Sequence, residues 1–364
     1  MSATMMEMVK QAARQDIGQT SLPAREYGGP EPLRSRIAMT AVALLLLLGA
    51  GFGSASAANA LMPLDDQASA QDWLAHMARS VRELNYRGRS IVMNGDQLNS
   101  VEVIHGVFDG EPWERVIHLT GERAEILRRG DEVNCLHPNR LARFQTSSPS
   151  APAPHKPLIT SASFDAIVKY YQLNKAGVGR VAGRDVWRVD VTPKDRNRYG
   201  YQFWLDSMSG LMLKSVTVDQ SGQGLEMFEF VDIQLDLSIT KADFEPDDAL
   251  PWQKKQSTPS ASVINFPAWQ VGWMPAGFVL TQHEMRRVGD IKASTKVYSD
   301  GLAAFSVFLE KVSPDTQAEG SRTHGATVAL SRRMVEPASD YLVTVVGEIP
   351  METAMQIAMG VSLK

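Results

Sequence analysis

The stretch GRDVWRVDVTPKDRNRYGYQFWLDSMSGLMLKSVTVDQSGQGLEMFEFVDI, residues 183–233, decides the fold of this chain. Every second residue in 199–205 is a large aromatic or aliphatic one, which is the period of a half-buried β-strand. Residues 206–210 and 219–224 carry the Asp, Ser and Gly residues that let a chain reverse. The stretch therefore predicts four short strands in an antiparallel meander.

The fourth strand of this meander is apolar on both faces. Phe228 and Phe230 share one face, while Met227 and Val231 lie on the other. Such a sheet is either covered on both sides or offers one side to an apolar ligand. Two interpretations are therefore open: an ordinary hydrophobic core, or an apolar groove that binds an acyl chain or the apolar face of a peptide. The candidate groove residues are Trp187, Tyr201, Phe203, Phe228 and Phe230.

Length and charge limit the class of protein. A chain of 364 residues favours two domains plus tails over a single core. Its formal net charge of −4 provides no electrostatic argument for binding nucleic acid.

The first 60 residues have the features of an export signal. Arg34 and Arg36 precede the apolar run 37–50, and A-x-A cleavage sites end at Ala57 and Ala60. We expect residues 1–60 to be an N-terminal extension and a cleaved signal peptide; the alternative is an uncleaved anchor, for which the apolar run is short. The lone Cys135 is expected to be a buried core residue, because it has no partner for an internal disulfide.

Turn and cap signals divide the exported part. Ser69 is predicted to cap a first helix and Ser163 a second, and Asn94-Gly95 predicts a hairpin. So many strands in 61–245 predict one large curved antiparallel sheet that curls into a barrel or half-barrel. A polar, Pro-containing linker spans 246–262. Residues 263–364 then predict a smaller α+β domain of four or five strands and a final helix.

No arrangement of residues in the sequence predicts catalysis. None of the seven histidines has the i, i+4 spacing of a helical metal site, and no phosphate-binding glycine loop or nucleophile motif is present. The basic turn Lys194, Arg196 and Arg198 is either a solvated hairpin or a contact for an anionic ligand. We therefore expect no enzyme, no metal and no cofactor.

Four separate motifs lie along the chain: LNYRG at 84–88, RVAGRDVWRVDVTPKDRNRYGYQFWLDSMSGLMLKS at 180–215, YSDGLAAFSVFLE at 298–310 and VVGEIPMETAMQIA at 345–358. They resemble those of the RseB/MucB family, periplasmic negative regulators of the envelope-stress sigma factor (sigma-E/AlgU). They follow the family's order, and the resemblance runs from about residue 68 to the end.

The resemblance implies a mostly β fold with some α-helix (α+β). It consists of a large LolA-like unclosed antiparallel β-barrel with a helical plug, and a small α+β C-terminal domain. It also implies a periplasmic protein that binds the periplasmic domain of an RseA/MucA-type anti-sigma factor and shields it from regulated proteolysis. Lipopolysaccharide or lipoprotein acyl chains are the implied releasing signal, and a homo-oligomer is the implied state.

The C-terminal hairpin is our expected partner contact, and two other functions remain open. A lipid or lipoprotein carrier without a signalling partner would use the same groove. An envelope hydrolase would need a convergent polar site. The expected partner-binding residues are Tyr298, Ser299, Asp300, Gly301, Leu302 and Phe305.

Overall fold

The fold was taken from a computed structural model, which describes residues 63–130, 132–136, 161–235, 237–246, 266–288, 291–313 and 319–364. These ranges belong to one compact unit, residues 59–364. The predicted signal peptide with its cleavage sites, the side chain of Cys135 and the predicted linker beyond residue 246 lie outside the described residues.

The larger sheet has ten antiparallel strands in the order β5-β4-β3-β2-β1-β10-β9-β8-β7-β6. Its strands are β1 Tyr86–Asn94, β2 Gln97–Phe108, β3 Glu111–His118, β4 Glu125–Arg129, β5 Glu132–Leu136, β6 Tyr171–Val181, β7 Arg184–Pro193, β8 Gly200–Asp206, β9 Met212–Val218 and β10 Gly224–Leu235. The edge strands β5 and β6 do not pair with each other, so the sheet is unclosed. A short 3₁₀ helix, Lys241–Phe244, follows it.

Helix α1, Ala70–Glu83, fills the inner face of this sheet. It begins with the capping box that the sequence predicts: the Ser69 hydroxyl accepts the Asp72 amide at 3.2 Å, and the Asp72 carboxylate accepts the Ser69 amide at 2.9 Å. The helix contacts β2 and β6, strands that stand six places apart in the sheet order. A sheet can meet one helix at two such distant strands only by curling around it. The helical plug of an unclosed barrel is therefore confirmed.

The meander of residues 183–233 forms β7 to β10 as predicted, with neighbouring strands paired in chain order. Tyr199, Tyr201, Phe203 and Leu205 are all buried.

The predicted start of the second helix was wrong. Helix α2 spans Ser161–Tyr170, so Ser163 lies inside it rather than at its cap.

The smaller part has more strands than predicted. A six-stranded antiparallel sheet has the order β12-β13-β14-β17-β16-β15, and a two-stranded sheet pairs β11 with β18. Helix α3, Met351–Met359, begins after Pro350 and packs on β16 and β17. The strands are β11 Trp269–Val271, β12 Val279–Val288, β13 Ile291–Ser299, β14 Ala304–Val312, β15 Gly320–His324, β16 Thr327–Glu336, β17 Ser339–Gly347 and β18 Val361–Leu363. The prediction of four or five strands missed β15 and β18, both short and poorly alternating.

Candidate functional site

The predicted groove residues lie on the inner face of the ten-stranded sheet. Tyr201, Phe203, Phe228 and Phe230 are at most 7% exposed, and Trp187 is half-buried. The rings form close pairs: the Phe228 and Phe230 centroids are 4.9 Å apart and those of Tyr201 and Phe203 are 5.8 Å apart. The four buried rings belong to the core that also contains Trp73, Leu74 and Met77 of α1, and Trp187 packs against it. In this structure the helix occupies the face, and a ligand reaches these rings only if α1 moves.

Three polar atoms, two on this face and one on α1, are buried without a hydrogen-bond partner among the described residues. They are the indole nitrogen of Trp73, the hydroxyl of Ser90 and the hydroxyl of Tyr201. A buried polar atom without a partner costs about 1–3 kcal/mol. The same face also carries the buried side chains of His105 and Glu114. A mainly apolar interior with a few polar groups has the composition of a small-molecule site.

Trp187 stands at the edge of this core. Its ring lies 6.4 Å from the Trp73 ring, and the ammonium of Lys175 lies 3.7 Å above it. The same ammonium donates hydrogen bonds to the backbone carbonyls of Asp66 and Ala68. Lys175 thus fastens the segment before α1 to the sheet beside Trp187.

The expected partner-binding residues lie in the hairpin between β13 and β14, and all six are buried. The Asp300 carboxylate accepts the Leu302 and Ala303 amides at 3.0 and 2.9 Å, which closes the turn and delays the start of β14 to Ala304. Tyr298 and Phe305 stack in the core of the smaller sheet with centroids 5.2 Å apart. Leu302 instead packs into the core of the ten-stranded sheet. The hairpin therefore joins the two cores, and its role in binding a partner stays a prediction.

Arg198 fixes this hairpin, in what we term the Arg198 contact. Its guanidinium is fully buried and donates to the Asp300 carboxylate at 2.7 Å and to the Ala276 carbonyl at 2.6 Å. Asp195 also pairs with it, at 3.0 Å. The Tyr171 hydroxyl donates to the same Asp300 oxygen at 2.8 Å, and burial, followed by the Asp300 carboxylate, raises the pKa of Tyr171 well above its ordinary value.

Sequence reasoning missed the Arg198 contact. It grouped Arg198 with Lys194 and Arg196, because three cations in five residues resemble a solvated or anion-binding turn. The structure separates them: Lys194 donates to the Val168 and Lys169 carbonyls at the end of α2, and Arg196 is exposed. Arg198 alone turns into the contact between the sheets. The only local signal of burial at Arg198 was the alternating aromatic strand that begins directly after it.

A second point of contact, which we term the Glu226 contact, lies between β10 and the β15–β16 turn. The Glu226 carboxylate accepts the Ala326 amide at 3.0 Å. A Cβ atom at Gly325 would lie 2.0 Å from the Asn94 side-chain oxygen, and one at Gly95 would lie 3.2 Å from the Gly325 backbone nitrogen, so the two turns pack closely here.

Among the described residues, no group of three His, Cys, Asp or Glu side chains is placed to hold a metal ion. None of the described helices has both the length and the apolar character needed to cross a membrane.

Comparison with known proteins identifies the family. The family model of the MucB/RseB N-terminal domain matches residues 69–248, and that of the MucB/RseB C-terminal domain matches residues 265–362. The sigma factor AlgU regulatory protein MucB of Pseudomonas aeruginosa is 32% identical over 89% of this chain and 98% of its own length. The sigma-E factor regulatory protein RseB of Escherichia coli is 27% identical over 79% of this chain and 89% of its own length.

Solved structures of MucB share the fold. The Pseudomonas aeruginosa MucA/MucB complex is similar with a TM-score of 0.67 and 29% identity, over 81% of this chain and 99% of that chain. A structure of MucB in complex with MucA(peri) has a TM-score of 0.65 and 29% identity over the same shares. The N-terminal and C-terminal family models match the chain in order, and the solved MucB structures match its fold. This chain therefore belongs to the MucB/RseB family.

Proposed function

We propose that this chain is a periplasmic regulatory protein that binds the periplasmic segment of a MucA/RseA-type anti-sigma factor. Bound in this way, the segment is kept from the protease that starts its degradation, and the envelope-stress response stays repressed. A lipid or lipoprotein acyl group weakens the grip and releases the segment. The chain acts as an oligomer of itself.

The similarity to MucB in its complex with MucA carries the partner part of the proposal. It extends over 99% of the MucB chain, so both sheets have counterparts there. The basic and apolar leader pattern in the first 60 residues supports an exported location. Shielding needs no chemistry, because a segment held on a folded surface cannot adopt the extended conformation in a protease cleft.

The inner face of the ten-stranded sheet supports the lipid part. Five aromatic rings, with the polar atoms of Trp73, Ser90 and Tyr201 that lack a hydrogen-bond partner in the described part of the chain, offer a mainly apolar interior with a few hydrogen-bonding positions. An acyl chain with an ester or amide at its head matches that composition. Entry of the chain requires α1 to move, and such a movement would carry the signal from the lipid to the rest of the molecule.

Calorimetric titration tests the partner and the lipid together. The chain from residue 61 is titrated with the periplasmic segment of the anti-sigma factor from the same organism, with and without lipopolysaccharide. Micromolar or tighter binding that lipopolysaccharide weakens is the expected result. Absence of binding by demonstrably folded protein contradicts the partner assignment, and lipid binding alone then favours the carrier function.

A proteolysis assay tests shielding separately. The anti-sigma segment is exposed to its site-1 protease with and without an excess of this chain, and its half-life is measured. We expect a longer half-life with the chain present, and a return to the free value when lipopolysaccharide is added. An unchanged half-life under conditions where calorimetry shows saturation would rule out shielding.

Leu302→Ala and Phe203→Ala test the predicted hairpin and groove residues. Leu302→Ala removes a buried hairpin side chain, and its control, Leu98→Ala, removes a side chain that is 63% exposed on the other sheet. If the hairpin binds the partner, affinity falls for Leu302→Ala and stays unchanged for Leu98→Ala. Phe203→Ala tests the groove in the same way with a fluorescent fatty acid. Circular dichroism checks the folding of each variant, because a buried aromatic replaced by Ala costs about 3–5 kcal/mol.

A further inference from the structure

The Glu226 contact lies beside a second carboxyl residue, Glu348. Glu226 lies on β10 of the larger sheet, and its carboxylate accepts the Ala326 amide of the smaller sheet. Val328 pairs with Gly347, so continuing that register places Glu348 opposite Thr327, next to Ala326. The Glu348 amide is itself held by the Ala304 carbonyl at 3.1 Å. None of the ion pairs among the described residues includes Glu226 or Glu348.

The groups around this pair include two tyrosines, further carboxylates and His324, which ends β15 next to Gly325. Tyr201 feels the charges of both carboxylates and of Asp300, and its hydroxyl has no hydrogen-bond partner among the described residues. The negative charges of the exposed Glu352 of α3, of Asp219 and of Glu226 act on the Tyr199 hydroxyl. Arg198, whose charge acts on Tyr201, is already paired with Asp300 and Asp195.

We propose that Glu226 and Glu348 form a pH-sensitive joint between the two sheets, closed when Glu348 is protonated and loosened when it ionises. Two carboxylates in a partly dry contact repel each other when both are charged, and separating the sheets returns both to water. The joint adjoins the hairpin that joins the two cores, because the Glu348 amide donates to the carbonyl of Ala304, the first residue of β14 after the turn. Loosening the joint therefore exposes the hairpin. The inference concerns the protein alone and holds whichever partner or lipid it binds.

The direction follows from the surroundings of Glu348. Burial first, and the Glu226 carboxylate second, raise the pKa of Glu348 from 4.5 to about 7. Burial also raises the pKa of Glu226, although the Ala326 amide opposes this. A carboxyl group whose pKa is raised in the closed state favours that state fully below its ordinary pKa, and this preference is lost as the pH rises through the raised value. The joint is thus tight in mild acid and loose above neutral pH.

Hydrogen exchange of the hairpin measures the opening. The Leu302 and Ala303 amides are bonded inside the hairpin and are protected while it is buried. With pKa values of 4.5 open and about 7 closed, the opening equilibrium should rise about tenfold between pH 6 and pH 8. Exchange rates are corrected for the intrinsic chemical rate at each pH, and the chain from residue 61 is used.

Glu348→Gln should abolish this tenfold change, while the matched control Glu352→Gln, at an exposed carboxylate four residues away, should retain it. A carboxyl ¹³C titration should place the Glu348 midpoint near 7, and Glu226→Gln should lower that midpoint. The ¹³C titration also keeps the test decisive if Glu348→Gln fails to fold. A Glu348 midpoint near 4.5, or an equal pH dependence in Glu348→Gln and the unsubstituted protein, would overturn the proposal.

Discussion

Replacing Arg198 with Met tests whether the Arg198 contact holds the two sheets together. Met keeps much of the side-chain volume but removes the guanidinium, which donates to Asp300 at 2.7 Å and to the Ala276 carbonyl at 2.6 Å. It also removes the cation that lies 5.1 to 5.4 Å from the ring centroids of Tyr170, Tyr171 and Phe278. Asp300 is left as a buried carboxylate.

The expected loss in the free energy of unfolding is large because the ion pair is shielded from solvent. The Arg198 and Asp300 side chains are 0% and 1% exposed, and removing one partner of a buried ion pair costs about 3–5 kcal/mol. Arg188→Met is the matched control on the same sheet. Its pair with Asp190 is 37% and 21% exposed, so its loss should be about 0–1 kcal/mol.

Urea unfolding followed by circular dichroism and tryptophan fluorescence measures both losses. In the unsubstituted protein the two signals should coincide, whereas in Arg198→Met they should separate, because the sheets then unfold independently. The double variant Arg198→Met/Asp300→Asn should regain part of the loss, since it buries no unpaired charge. A loss below about 1 kcal/mol in Arg198→Met, with coincident transitions, would refute the assignment of Arg198 as the link between the sheets.

Three further predictions concern stability. Gly210→Ala should lower the free energy of unfolding in urea by about 2–5 kcal/mol, because Gly210 has φ +70 and a Cβ would lie 2.0 Å from the His76 ring. Its control, Gly222→Ala, has φ +85 but open space around the Cβ, and should cost only about 1–2 kcal/mol. Leu302→Ala should cost about 2–5 kcal/mol by leaving a cavity in the core of the larger sheet, and a loss below 1 kcal/mol would show that Leu302 does not fill it. Asp206→Asn should cost about 1.5–3 kcal/mol at pH 7 in thermal unfolding, and progressively less as the pH is lowered below 3.8. Burial raises the pKa of Asp206, but hydrogen bonds from Arg184 and Ser209 outweigh it and leave the pKa below its ordinary 3.8. This stability is therefore present above that value and lost as the pH falls through the lowered pKa, and a cost that does not change with pH would contradict the argument.

Much of the fold was predictable because its signals are local. The alternation in residues 199–205 and the Asn94-Gly95 turn depend on side-chain direction and backbone angles within a few residues. The same holds for the Ser69 capping box. Strand β15 was missed because its five residues alternate poorly, and their pairing with β16 decides their conformation.

The predicted site residues illustrate the limit of this reasoning. The sequence identified Phe228 and Phe230 as neighbours on one face, and the structure places them in contact. Residue spacing could not show that α1 covers that face, since a helix and a sheet find each other across more than a hundred residues of chain; only the family resemblance implied a helical plug. Whether the face opens to a ligand is decided by that packing and not by the strand.

By itself, the sequence determined the strand meander, the capped first helix, the large and small sheets and the family resemblance. Each of these depends on residue spacing or on motifs that can be read in order along the chain. Only the tertiary structure decided that Arg198 is buried against Asp300, 102 residues away, while Arg196 stays in water. The physical reason is that the environment of a charged side chain is set by whatever long-range packing brings to it, and local sequence contains no record of that neighbour.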